Sequence, residues 1–284
     1  MYAPENQEFG KSSTNNTKMV PRTIGKSPVL KFPTFLFALV LPLFFMVGCS
    51  GSDQKKAPAE SGKELVASLD RLFEELSTED TNSSELSEEV VQLNEKIRRT
   101  IENIRPTGQL SEIAESYSKD AHGFSFTLSQ DKKLGIFSWH TKMDASGNKI
   151  KNMALYDQGD RLEVSSLLSA PIIFEKIHQV ESYKGQVLYV LQGKDDTGVG
   201  NFFRLDAYTL RDGLLEEAPA FPNNESSISI AQMDQETDPS VPLGFKVVMN
   251  GSRILIPEIQ GDANEAQSLA FNGKKYVPED QLDE

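Results

Sequence analysis

The sequence predicts an α+β chain: an N-terminal helical hairpin followed by an all-antiparallel β domain, laid out as a meander, sandwich or barrel-like sheet. Two changes of rhythm and one kind of punctuation carry this. Apolar residues recur at helical spacing between Leu65 and Ile104, and from Gly123 onward they fall in short runs rich in β-branched and aromatic residues. Turn clusters bearing Gly, Asn and Asp separate those runs.

The helical part, 63–118, opens at Ser61-Gly62-Lys63-Glu64. A serine followed three residues later by glutamate satisfies two orphan amides at a helix start. Leu65, Leu69, Leu72, Phe73 and Leu76 then share one face. Thr78 to Ser84 is a polar break, after which Val90, Leu93, Ile97, Ile101 and Ile104 form a second stripe. Arg105-Pro106-Thr107-Gly108 ends that helix, because proline lacks the amide and clashes with the preceding turn. A shorter helical piece runs over Leu110 to Tyr117. The stripes are nearly heptad but too short to favour a coiled coil, so they fit a hairpin packed on the β domain or on itself. A seam for a partner is the alternative.

The β domain spans 123–277. Strands are expected near 124–129, 134–142, 150–156, 174–182, 187–192, 202–210, 245–249, 253–256, 269–271 and 275–277. Turns fall at Asp144 to Asn148, Gln158-Gly159-Asp160, Lys184-Gly185, Asp195 to Gly200 and Asp212-Gly213. Asn250-Gly251 and Asn272-Gly273 each sit between two apolar runs, and Asn-Gly supplies the positive φ angles of a type I′ hairpin turn. A sandwich, an open barrel and propeller-like sheets all accommodate this pattern. Residues 278–284 form an acidic tail expected to fray.

Residues 1–48 follow another logic. Arg22, Lys26 and Lys31 precede the longest apolar run, Phe32 to Gly48, the order of a secretory signal. A start at Met19 would leave a leader of ordinary length. The run closes on Met46-Val47-Gly48-Cys49, and Cys49 is the chain's sole cysteine. This resembles the lipobox of bacterial lipoproteins. The resemblance implies cleavage before Cys49, diacylglycerol on its sulfur and a further acyl chain, such as palmitate, on its amine. Two or more chains anchor stably where one binds only marginally. Residues 49–62 then read as a polar, flexible tether. The alternative, a transmembrane anchor, meets a run at the short edge of what spans, broken by Pro33 and Pro42.

A second resemblance covers roughly 123–215. Ser129-Gln130-Asp131, the strand from Leu134 to Trp139, and Leu205-Asp206-Ala207-Tyr208 are similar to uncharacterised lipid-anchored or secreted proteins of Bacteroidetes. His140 stands where that pattern has aspartate, and the family implies no activity.

Charge narrows the function. The net charge is −13; residues 1–48 hold five of the 29 basic and two of the 42 acidic side chains, which leaves −16 for the remainder. Such a surface repels phosphate backbones, so nucleic acid is excluded as a natural partner. A lone cysteine also excludes an internal disulfide and a cysteine-built zinc cage.

Motifs for catalysis or cofactors are weak. His122, His140 and His178 lack metal-ligand spacing. Asp195-Asp196-Thr197-Gly198 lacks the remaining ligands of a calcium loop, and Gly198-Val199-Gly200 lacks the third glycine of a dinucleotide loop. Gly193-Lys194 has no Walker frame. Acidic pairs such as Glu79-Asp80 and Glu216-Glu217 leave a carboxylate-pair hydrolase open. Phe137 and Trp139 lie two apart on one strand and share a face, which makes them either a ligand platform or core under the helical hairpin. The expected molecule is a lipid-anchored protein of the bacterial cell envelope, in the outer membrane, facing periplasm or exterior. It binds a protein or glycan, or has a structural role, without a cofactor or metal. A hydrolase, or an accessory subunit docking through its helices into a membrane complex, is the alternative.

Overall fold

The computed structural model describes residues 60–79, 87–143, 150–168, 172–195, 201–232, 244–257 and 268–282. The expected signal segment, Cys49, most of the tether, much of the polar break after Thr78, the Asp144 to Asn148 turn and most of the Asp195 to Gly200 turn lie outside them. Among the described residues no helix is long and apolar enough to cross a membrane.

Three helices come first: α1 (Gly62–Thr78), α2 (Glu88–Glu102) and α3 (Gln109–Ser116). The Ser61 capping box forms in full, with Ser61 Oγ accepting from Glu64 N–H and the Glu64 carboxylate accepting from Ser61 N–H. Gly62, expected to close the 49–62 segment, already belongs to the helix. It packs so tightly on α3 that a Cβ would collide with Glu112, whose Oε2 accepts the Gly62 amide at 2.7 Å. No basic residue stands in the last turn of α1. Lys142 supplies the missing cation from a distance, donating to the carbonyls of Ser77 (2.7 Å) and Glu79 (3.0 Å), where the helix dipole is negative.

Among the described residues thirteen antiparallel strands come next. Sheet one is the meander β1 (Ser125–Leu128), β2 (Leu134–His140), β3 (Ile150–Asp157) and β4 (Leu162–Leu167). Sheet two holds β5 (Ile173–Glu181), β6 (Val187–Asp195), β7 (Asn201–Arg211), β8 (Leu214–Glu217) and β9 (Ser227–Gln232). Strand β7 is long enough to pair with β9 through 201–206 and then with β8 through 208–211, along the same edge. Sheet three is β10 (Lys246–Val248), β11 (Arg253–Leu255), β12 (Ser268–Phe271) and β13 (Tyr276–Pro278).

Strand periodicity sorts side chains into three successive cores. Phe126, Phe137, Trp139, Met153 and Leu155 meet the helical stripes. Leu134, Ile136, Ala154 and Tyr156, from the other face of sheet one, meet Phe174, Tyr189 and Leu191 of sheet two. Val190, Leu205 and Ala207, from the far face of sheet two, meet Ile254, Leu269 and Tyr276 of sheet three. The helices and three sheets are therefore stacked layers, and β1 packs on β5. Among the described residues every strand pairing is antiparallel, as expected for the β-rich part. In β5 the register slips between Phe174 and Lys176, a bulge that brings Phe174 and Ile177, three apart, to the same core.

Four differences from the sequence expectations have physical causes. Strands β4, β8 and β9 go beyond the expected set: all three are edge strands or short, and their Ser and Glu residues dilute the apolar signal. The Asn250-Gly251 turn forms as expected, with φ of 53° and 90° and Ser252 N–H donating to Met249 C=O at 3.1 Å. At the second Asn-Gly the turn is displaced by one residue. Asn272 pairs with Lys275, leaving Gly273 (φ 84°) and Lys274 at the tip. The Asn272 Oδ1 accepts the amides of Lys274 (3.1 Å) and Lys275 (2.9 Å), so its side chain closes the loop from outside. The tail is not wholly frayed either, since Glu279–Gln281 makes a 3-10 turn and Glu279 pairs with Arg253.

The serine–aspartate turn at 129–131 has a clear task. Ser129 Oγ donates to Asp131 Oδ1 (2.6 Å) and accepts from Leu134 N–H (2.9 Å). Tyr189 OH donates to Asp131 Oδ2 (2.8 Å), and Gln179 Oε1 accepts the Asp131 amide (2.8 Å). One turn of sheet one is thereby locked onto two strands of sheet two.

Candidate functional site

Phe137 and Trp139 do share a face, but it is an inner one: they are 0% and 2% exposed. Trp139 Nε1–H donates to Asn94 Oδ1 (3.0 Å), while Asn94 Nδ2 donates to the carbonyls of Val90 and Thr141, both at 2.8 Å. The indole is thus core, with its one polar atom satisfied by a buried asparagine on α2. The platform expectation is corrected: no ligand reaches these rings in the folded chain. The helical stripes are likewise spent, since Leu65, Leu69, Phe73, Leu76, Val90 and Ile97 are buried in the same core.

The histidines do not converge. His122 Nδ1 lies 2.8 Å from Asp70 Oδ1 and its ring stacks on Tyr117, joining α1 to the approach to β1. His140 is exposed. His178 is buried on β5, its Nε2 at 2.8 Å from Gln192 Oε1, and Gln192 Nε2 donates to Phe245 C=O at 3.0 Å. Because the amide oxygen faces His178, Nε2 carries the proton as donor. Burial holds the imidazole below its usual pKa, with the Gln192 contact opposing this and Lys176 adding to it. Among the described residues no three His, Cys, Asp or Glu side chains are grouped to hold a metal.

One carboxyl stands out. Asp206 on β7 is buried beside Arg204, whose Nε donates to Oδ1 at 2.7 Å, while Oδ2 has no hydrogen-bond partner among the described residues. Burial raises its pKa, Arg204 pulls it down and nearby Glu217 adds to the rise. Its side chain is only 5% exposed, so it offers no surface to a substrate.

Among the described residues a cleft of about 540 Å³ lies between sheets two and three. The β5–β6 and β12–β13 turns build it, together with residues of β7 and β8 on either side of their Asp-Gly turn. Between β5 and β6, Ser182 N–H donates to Gln186 C=O and Gly185 N–H to Ser182 C=O, both at 2.9 Å. Between β7 and β8, Asp212 and Gly213 both have positive φ, the two-residue turn expected of Asp-Gly. The β12–β13 turn carries Gly273, whose carbonyl accepts the Tyr183 amide at 3.0 Å and ties the first turn to the third. Ala218, Ala220, Leu188 and Phe271 supply apolar lining.

The charged lining is divided. Arg211 faces Glu216 at 3.7 Å, and Glu217 Oε2 accepts the Ser226 hydroxyl at 3.0 Å. Lys184, Lys274 and Lys275 also line the cleft, and no described residue forms an ion pair with them. In an acidic protein this concentrates positive charge at one mouth. The arrangement favours capture of an anion over acid–base chemistry: ammonium groups only donate, and both glutamates already have partners. Sequence patterns do not assemble this site, whose residues come from 182–188, 209–220, Asn224 and 271–275. The available signal is two glycine turns carrying lysine, Lys184-Gly185 and Gly273-Lys274-Lys275, in so acidic a chain.

Against known proteins, no family model, curated protein or solved structure matches the chain.

Proposed function

We propose that the protein is an exported lipoprotein, held at the bacterial envelope by acyl chains on Cys49, whose folded part binds an envelope glycan or protein without turning it over. One observation carries the anchoring: the only cysteine in 284 residues closes the longest apolar run, directly after glycine and before a polar stretch. Export and lipid attachment need that order of basic flank, apolar segment, small residue and thiol. Support for binding rather than catalysis comes from the cleft, which has a volume usual for ligand sites and a lining of cations and apolar surface.

Cys49→Ser in the native host tests the anchor. The variant should remain uncut or leave the membrane fraction, and metabolic labelling with palmitate should be lost. Normal processing with unchanged sedimentation would refute anchoring through Cys49. For the binding half, the full chain immobilised in detergent should retain envelope material. Degradation of an envelope polymer by the purified chain would replace this reading with that of a hydrolase.

A further inference from the structure

We infer that the cleft between the second and third sheets is a binding site for an acidic oligosaccharide, with Tyr183 as the stacking platform and Lys184, Lys274 and Lys275 as the carboxylate-recognising groups; this rests on the binding reading above. Tyr183 is 85% exposed, yet its ring lies so close over Gly273 that a Cβ there would fall inside it. One face of the ring is thus supported by glycine backbone, in a turn where φ is 84° and glycine is favoured for that reason too. The exposure means that the remainder of the ring is open to solvent. An amphipathic aromatic with two side-chain torsions gives contact area at low conformational cost.

The surroundings select the class of ligand. Three lysines without ion-pair partners among the described residues share the cleft with two glutamates that are already engaged, Glu216 by Arg211 and Glu217 by Ser226. Ammonium groups donate only and carboxylates accept only. A ligand for this lining must bring an anion for the lysines and neutral hydrogen-bonding groups beside the engaged glutamates. Its apolar face must also lie on the tyrosine. A uronic-acid sugar has all three: a carboxylate, hydroxyls and a C–H face. A phosphate ion alone leaves the ring unused. The volume of about 540 Å³ accommodates a short saccharide rather than a single ion.

The test uses the full chain in detergent, titrated with short oligogalacturonates and, separately, with their methyl esters and inorganic phosphate. The oligogalacturonate should bind and weaken as salt rises, and the neutral ester should not bind measurably. Lys274→Gln/Lys275→Gln and Tyr183→Ala should each weaken binding about tenfold or more while thermal unfolding stays unchanged. Gly273→Ala should also weaken it by displacing the ring. Binding insensitive to these substitutions, or equal binding of the ester or of phosphate alone, would overturn the assignment. If wild type retains envelope glycan or protein yet ignores oligogalacturonate, the acidic-sugar site fails and the binding reading stands. Turnover of an envelope polymer would remove the binding reading itself.

Discussion

Trp139, between the helices and sheet one, and Tyr183, in the cleft between sheets two and three, show two uses of a large aromatic side chain. At the helical end, Trp139 is roofed by α1 and α2, contacts Phe73 edge-on at 6.2 Å and has its N–H bound by Asn94. At the cleft Tyr183 rests on bare glycine backbone with most of its surface in water. Both look alike in sequence, as aromatics in or beside a strand flanked by polar residues. What separates them is whether a further layer covers the sheet. Sheet one has the helices outside it; at the cleft, sheet two meets the end of sheet three and leaves a gap.

Removing Trp139 should have the largest effect. Trp139→Ala deletes a fully buried ring and leaves Asn94 Oδ1 without its donor, so a loss of about 3–5 kcal/mol is expected. Denaturant unfolding would measure it as a lowered midpoint at constant slope. A loss below about 1 kcal/mol would mean that the helical layer is not packed on sheet one as described.

A smaller effect depends on pH. His178, Gln192 and the Phe245 carbonyl join sheet two to the start of sheet three. Burial favours the neutral imidazole, so the folded-state pKa is below the value of about 6.5 in the unfolded chain. The unfolded state then binds more protons in that window, and stability rises with pH there. The contribution is complete above the unfolded pKa and is lost as pH falls from it toward the folded value. His178→Gln should remove this part of the slope between pH about 7 and 5, read from unfolding midpoints. An unchanged slope would show that another group carries it. Asp206, whose pKa is raised, acts in the opposite sense at lower pH: its contribution is present below the unfolded carboxylate value and lost as pH rises through the folded one.

Much of this architecture was legible because it depends on local period and turn chemistry. The helical stripes, the Ser61 box, the Asn250-Gly251 turn and ten of the strands are written in residues a few positions apart. Edge strands were less visible, and β9 shows why: Ser227-Ile228-Ser229-Ile230 alternates cleanly, but half its residues are polar and no turn pair marks its start. The displaced turn at Gly273 depended on a side-chain hydrogen bond from Asn272 that competes with the usual placement. Trp139 had two readings, and only the layer above it decides between them. The cleft was beyond reach of period or motif, because Tyr183 meets Gly273 across 90 residues of chain and Lys142 reaches the end of α1 across more than 60. Such contacts depend on the order in which sheets stack, and pattern alone left that order open.

The smallest expected change in stability is also the sharpest test of the contrast. Tyr183→Ala removes a ring of similar size to the indole, yet little of it is buried, so stability should move by no more than about 0.5 kcal/mol. The Tyr183 backbone amide, which bonds the Gly273 carbonyl, survives the substitution and keeps the two turns together. A loss comparable to that of Trp139→Ala would place Tyr183 with the core residues and remove its platform role. A neutral effect on unfolding, combined with lost retention of acidic saccharide, is what a ring kept for recognition predicts.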